Sequence, residues 1–108
     1  MTVAKLLECG PFEAHALPSP DREINGVYIG DLLSWVMGKA ECDNAWITIM
    51  SNVNVIAVAS LVDVSCVILA EGVTLADDVL NTAKEKGINI LVSGLPIYEV
   101  AKAIAGIL

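Results

Sequence analysis

The sequence predicts a three-layer α/β fold, with a mostly parallel sheet of about five strands and helices on both faces. Short apolar runs alternate with helical segments from Ile24 onward. Two of these runs, Ala45 to Met50 and Val64 to Leu69, are almost wholly apolar, which is typical of strands that helices cover on both sides. The length of 108 residues suits a single domain spanning residues 1–108.

The N-terminal part of the chain is predicted to form a short helix near Val3 to Leu7 and then an edge strand. Apolar and polar residues alternate in this strand, and we expect the apolar set to face inward. That set is Phe12, Ala14 and Ala16. His15 is expected to face solvent beside Glu13, because it falls on the opposite side of the strand.

A second strand, Ile24 to Ile29, leads into a helix from Leu32 to Met37. Gly30 separates the two elements, and Asp31 follows it. We expect Asp31 to cap the helix, because its carboxylate can accept hydrogen bonds from the N–H groups that lack partners in the first turn.

The third strand, Ala45 to Met50, is followed by a turn and by a helix from Val53 to Val62. Val64 to Leu69 forms the fourth strand. Thr74 and Asp77 stand in the T-x-x-D relation of a capping box, which predicts the start of the next helix. This repeated order of strand and helix indicates parallel pairing through right-handed crossovers.

The C-terminal part of the chain contains the fifth strand, Ile88 to Val92, and a final helix. Gly87 is placed to end the preceding helix in a left-handed conformation, and Pro96 stands near the first turn of the last helix. The final helix carries one amphipathic stripe. Its members are Ile97, Val100, Ala101, Ile104 and Leu108.

Hydrophobic residues make up 56% of the chain and the mean hydropathy is +0.68, yet no membrane segment is predicted. The longest uncharged stretch, Asn44 to Val62, is interrupted by polar side chains, and each unsatisfied polar group in hydrocarbon costs several kcal/mol. The segment from Met1 to Leu7 lacks the apolar core of a signal peptide. We therefore expect a soluble, cytoplasmic protein.

Thirteen acidic and six basic residues give a formal charge of −7, without a cluster of Lys or Arg. Nucleic acid and anionic membrane are poor partners for such a surface. The three cysteines, Cys9, Cys42 and Cys66, are an odd number at wide spacing, so they predict neither a disulfide framework nor a CxxC metal site. No metal and no cofactor is predicted.

No phosphate-binding loop, dinucleotide fingerprint, nucleophile elbow or zinc-protease motif occurs in the sequence. Cys42 lies between two carboxylates that disfavour its thiolate, and Cys66 is expected to be a small buried hydrophobe. We therefore predict no catalytic residue and no enzymatic activity. An enzyme using Asp31 or Glu71 as a general base is the least favoured alternative.

Polar residues follow the four later strands where each strand ends. Open parallel sheets bind ligands beyond the carboxyl ends of their strands, where helix N-termini also offer free N–H donors. We expect a small ligand with both donor and anionic groups to bind there. The candidate ligand-binding residues are Asp31, Ser51, Asn52, Glu71 and Ser93. The alternative is that these residues only cap helices and form turns.

Two predicted helices carry more apolar surface than one core can cover. In the helix from Val53 to Val62 only Asn54 and Ser60 are polar, and in the helix from Leu32 to Met37 only Ser34 is polar. We expect these helices to mediate a homodimer or to dock a partner protein. The alternative is that the N-terminal segment covers the first of them.

The segment from Ile24 to Met37 reads Ile-Asn-Gly-Val-Tyr-Ile-Gly-Asp-Leu-Leu-Ser-Trp-Val-Met and resembles the DRTGG domain family. Its Gly-Asp-Leu-Leu-Ser run is the most specific part. Further support comes from Ala70-Glu71-Gly72 before a helix, and from Ile88 to Val92 before a turn and the final helix. The resemblance extends from about Val3 to Ile107. DRTGG domains are similar to the N-terminal domains of HPr kinase/phosphorylase and of Mur ligases.

The resemblance implies a regulatory or ligand-sensing domain without catalysis, because the kinase activity of HPr kinase lies in a separate domain with a phosphate loop. The Asp-Arg-Thr-Gly-Gly run itself is absent, since Asp21-Arg22 is followed by Glu23-Ile24. Any ligand role of that run therefore does not transfer. A copy that stands alone implies that a partner protein supplies the output. The alternative function is a protein-interaction or assembly subunit with no small-molecule ligand.

Overall fold

The computed structural model describes all 108 residues and consists of a five-stranded sheet between two layers of helices. The strands are β1 (Glu13–Ala16), β2 (Gly26–Ile29), β3 (Asn44–Thr48), β4 (Cys66–Leu69) and β5 (Ile90–Val92). The helices are α1 (Val3–Cys9), α2 (Leu33–Lys39), α3 (Asn54–Val62), α4 (Asp77–Glu85) and α5 (Ile97–Ile107). The three-layer architecture is confirmed. None of the helices combines the length and the apolar character needed to cross a membrane.

The strands lie in the order β1-β5-β4-β3-β2, and the four strands from β2 to β5 are parallel. Each crossover moves one place along the sheet, so right-handed connections put α2, α3 and α4 on the same face. We call this the first face, and its core contains Trp46 of β3. On the second face, α1 and α5 pack over Ile47. Because β3 is covered on both sides, all five of its residues are buried.

β1 is an edge strand, as predicted, and pairs antiparallel with β5. The expectation that its apolar residues all face inward is wrong for Ala14, which is exposed. The register of β1 shifts between Ala14 and Ala16. Phe12 consequently packs on the second face and Ala16 on the first. A β-bulge breaks the period of two on which the prediction rested.

Two predicted helix caps are wrong and one is confirmed. Asp31 does not cap α2, whose N-cap residue is Leu32. Thr74 does not cap α4, because that helix begins after Ala76 and leaves Thr74 outside its first turn. Gly87 adopts a φ of 74°, and the following residue, Ile88, donates a backbone hydrogen bond to Ala83. This is the left-handed helix ending that glycine favours.

Arg22 ties the amino end of the sheet together. Its Nη2 donates to Asp43 Oδ1 at 2.6 Å, and its Nη1 donates to Asp63 Oδ1 at 3.0 Å. Asp43 precedes β3 and Asp63 precedes β4, and both have a φ of 65°. The guanidinium therefore links the segments before β3 and β4, and Asp63 is also the left-handed C-cap of α3.

Candidate functional site

The five predicted site residues lie in a row along the carboxyl edge of the sheet, which we call the carboxyl rim. Following the strand order, Ser93 lies after β5, Glu71 after β4, Ser51 and Asn52 after β3, and Asp31 after β2. Neighbouring strands are ~4.8 Å apart, so the row extends over about 14 Å. The rim is a ledge of adjacent turns rather than an enclosed pocket.

Asp31 joins the ends of β2 and β3. Its Oδ1 accepts hydrogen bonds from Thr48 Oγ1 at 2.7 Å and from the backbone N–H of Ile49 at 3.0 Å. Thr48 is fully buried, and its hydroxyl oxygen accepts from Met50 N at 3.2 Å. Asp31 thus holds the loop that carries the next two rim residues. Sequence reasoning missed Thr48, although a threonine at the carboxyl end of an apolar strand was the available signal.

Ser51 and Asn52 form the exposed turn between β3 and α3. Asn52 Oδ1 accepts a hydrogen bond from Asn54 N at 2.9 Å, which is an Asx turn at the start of α3. The Ser51 side chain makes no hydrogen bond within the protein and is free to contact a ligand. Asn52 therefore has a local role at the start of α3, whereas Ser51 lies in the same turn without a side-chain hydrogen bond.

Glu71 and Ser93 are brought together where β4 and β5 end. Glu71 N donates to Leu95 O at 2.9 Å, and Gly72 N donates to Ser93 O at 3.0 Å. Ser93 is 5% exposed, and its Oγ accepts from Leu95 N at 3.2 Å. The two turns therefore form one hydrogen-bonded corner.

The Glu71 carboxylate lies at the N-terminus of α5, with Oε2 at 3.4 Å from Ile97 N. α5 has no side-chain cap of its own, because its N-cap residue is Pro96. A negative charge is favourable at a helix N-terminus. Glu71 has a φ of 61° and Gly72 a φ of 74°, so the chain turns through two successive left-handed residues at this corner.

No group of three or more His, Cys, Asp or Glu side chains is placed to hold a metal ion. Burial raises the pKa of Cys66 to about 12. The pKa of Cys42 is raised by partial desolvation and by the adjacent carboxylates of Asp43 and Asp63. Both shifts disfavour the thiolate form that nucleophilic cysteines need. His15 lies on β1, with Nε2 at 4.0 Å from Glu13 Oε1.

The one surface cavity lies beside the rim, in a groove between α1 and α5. Its volume is about 450 Å³. We call it the α1–α5 groove. Its lining includes Cys9, Leu95, Glu99, Lys102, Gly106 and Ile107. Sequence reasoning missed this groove because it depends on how far apart two helices pack, which no local pattern encodes.

An apolar stripe on the outside of α2 and α3 is exposed, and we call it the outer apolar surface. It consists of Leu32, Trp35, Met37, Val53 and Leu61. Trp35 is 57% exposed and Leu61 is 72% exposed, which is unusual for side chains of this size. α1 packs on the second face, so the alternative that the N-terminal segment covers α3 is wrong.

These features define a three-layer α/β domain with a polar rim at the end of the sheet where such folds bind ligands. The chain is similar to a crystal structure of the CBS and DRTGG domains of the regulatory region of Clostridium perfringens pyrophosphatase, complexed with the activator diadenosine tetraphosphate. The TM-score is 0.75 at 15% sequence identity, over 95% of this chain and 45% of that one.

The chain thus spans less than half of that regulatory region. It has a DRTGG-like fold, which confirms the fold that the Ile24 to Met37 segment implied. No protein-family model and no curated protein matches the sequence.

Proposed function

We propose that this protein is a regulatory domain of the cytoplasm that binds a small molecule at the carboxyl rim and has no catalytic activity of its own. The fold likeness to a regulatory region that binds a nucleotide activator supports a ligand-sensing role. Three unpaired cysteines fit a reducing compartment. The Asp31 carboxylate already accepts two hydrogen bonds, which argues against its use as a general base.

The exposed carboxylate of Glu71 is the observation that carries this proposal. The left-handed φ of Glu71 belongs to the turn that Val73 N closes onto Ala70 O, just as the left-handed φ of Asp63 belongs to the C-cap of α3. Glu71 is exposed, and its carboxylate has only the 3.4 Å contact to Ile97 N. Its side chain is therefore available to a ligand.

The ligand that fits the rim is a hydrogen-bond donor rather than a polyphosphate. The rim contains the carboxylates of Asp31 and Glu71 and includes no Lys or Arg. Two helix N-termini could attract an anion, but side chains of the protein already accept hydrogen bonds from both. Asn52 accepts from the start of α3, and Glu71 accepts from the start of α5. We therefore favour ligands with amino, hydroxyl or ring N–H groups, such as nucleosides.

A thermal-shift screen over nucleosides, nucleotides, sugar phosphates and amino acids tests the proposal. A ligand at 100 times its Kd adds about 2.7 kcal/mol to the free energy of unfolding, which is easily detected. We expect Glu71→Gln to abolish the shift. Glu85→Gln on the exposed side of α4 is the matched control and should retain it. If no compound stabilises the protein, the ligand-sensing proposal is wrong.

The outer apolar surface favours a second function, that of a protein-interaction or assembly subunit. Large apolar patches on a folded protein mark interaction sites, and α2 and α3 pack against each other on one face with Trp35 and Leu61 exposed. We propose that this surface forms a homodimer or docks a partner protein. Sedimentation at micromolar concentration should show a dimer that the double variant Trp35→Glu/Leu61→Asp converts to a monomer. A monomeric parent protein would exclude the dimer.

A further inference from the structure

The α1–α5 groove is open to solvent and adjoins the rim at Leu95, while none of the five rim residues lines it. Its volume of about 450 Å³ falls within the range of small-molecule pockets, roughly 300–1,000 Å³. A Cβ atom added at Gly106 would meet nothing within 4 Å, so the space over this part of α5 is open. The apolar part of the lining consists of Leu95 before the start of α5 and of Ala103 and Ile107 toward its end.

Two opposite charges line the groove three residues apart on α5. Glu99 and Lys102 are therefore neighbours on the helix, with about 5–6 Å between Cβ atoms. Neither forms an ion pair with any residue of the chain. The Lys102 ammonium lies 5.9 Å from the centroid of the Tyr98 ring, at the outer limit of a cation–π contact. Both charges are free to bind a ligand.

We propose that the α1–α5 groove is a binding site for an apolar α-amino acid. Lys102 binds the carboxylate of the ligand, Glu99 binds its ammonium group, and the apolar side chain lies against Ala103 and Ile107, over the open space at Gly106. A zwitterion matches one positive and one negative group at this spacing. A polyphosphate does not match the groove, because the negative charge of Glu99 lies beside the single positive charge of Lys102 and repels phosphate groups. This site is separate from the carboxyl rim and does not depend on the proposed function there.

Isothermal titration of the whole chain with L-leucine and with L-phenylalanine tests this site. N-acetyl-leucine amide, which has the same side chain and neither charge, is the matched ligand control. We expect saturable binding of the free amino acids, weakened at least tenfold by Glu99→Gln and by Lys102→Gln. Gly106→Leu fills the open space and should abolish binding. Glu85→Gln and Lys84→Gln on α4 carry the same changes away from the groove and should leave binding unchanged.

Gly106→Leu replaces a glycine by a better helix former, so we expect the variant to fold, and a cooperative thermal unfolding transition is the check. Three results would overturn the proposal: no binding of either amino acid, equal binding of the uncharged amide, or full binding by Gly106→Leu. If Glu71→Gln abolishes amino-acid binding and Gly106→Leu does not, the ligand binds at the rim. That result overturns the groove site while supporting the proposed function, so failures of the two are distinguishable.

Discussion

Replacing Asp31 decides whether this rim carboxylate is a structural link or a free ligand contact. In the structure its Oδ1 accepts from the Thr48 hydroxyl and from Ile49 N. Asp31→Ala removes the acceptor from both donors. Ile49 N lies at the surface and can bond to water instead, whereas the Thr48 hydroxyl is fully buried. The cost therefore arises mainly at Thr48.

A buried donor left without a partner costs about 1–3 kcal/mol. We expect Asp31→Ala to lower the free energy of unfolding by about 2 kcal/mol, with a fall in Tm of about 8 °C for a domain of this size. Thr48→Val also loses the acceptor for Met50 N and should cost about 1 kcal/mol. In the double variant no unpaired hydroxyl remains. Its loss in the free energy of unfolding should therefore be about 1 kcal/mol smaller than the sum of the losses in the two single variants.

Urea unfolding of the two single variants and the double variant measures this coupling. Asp31→Asn keeps one oxygen acceptor and should cost only about 0.5 kcal/mol, while Glu85→Ala on α4 should stay within ~0.5 kcal/mol of the parent. If Asp31→Ala is no less stable than the Glu85 control, the carboxylate does not hold β2 to β3. Strictly additive costs would likewise contradict the Asp31–Thr48 hydrogen bond.

Three further outcomes follow from the ion pairs and thiols. Arg22→Gln should lower the free energy of unfolding in urea by about 1–2 kcal/mol, since it removes the two ion pairs to Asp43 and Asp63, and a neutral effect would contradict their contribution. With a neutral disulfide reagent at pH 8, the exposed Cys9 should react faster than Cys42, whose pKa is raised; equal rates would argue against this difference. Because burial raises the pKa of Cys66 from 9.0 to about 12, its contribution to stability is complete below pH 9 and is lost as the pH rises toward 12. Between pH 8 and pH 10 the free energy of unfolding should therefore fall by about 1 kcal/mol more in the parent protein than in Cys66→Ala, as measured by urea unfolding at each pH.

The layer architecture was predictable because burial on both faces of a strand leaves a direct mark on the sequence. The predicted strands Ala45 to Met50 and Val64 to Leu69 contain the central strands β3 and β4, which are wholly buried, although β3 ends at Thr48 and Ile49 is exposed. The helix ending at Gly87 was equally predictable, since glycine favours the left-handed φ that this ending requires. The exposure of Ala14 could not be predicted, because a bulge depends on the pairing of two strands that are distant in sequence.

The chemistry of the rim was predictable only in part. The topology of a parallel sheet was enough to put five polar residues on one edge. The partners of those residues were not predictable, because Asp31 prefers a donor across the sheet to the N–H groups of its own helix. Likewise, Glu71 bonds the N-terminus of a helix more than twenty residues later in the chain. Such long-range hydrogen bonds leave no periodic signal in the sequence.

α3 connects the two surfaces to which we assign a function. Its first residue, Asn54, donates to the Asn52 side chain at the rim, while the N-cap residue Val53 and Leu61 of the helix lie on the outer apolar surface. A ligand that bonds the Asn52 side chain would compete with Asn54 N for the same oxygen. That competition would release Asn54 N at the start of α3, directly after Val53, the N-cap residue of this helix. Occupancy of the proposed rim site can therefore alter the proposed partner surface without any motion of the sheet.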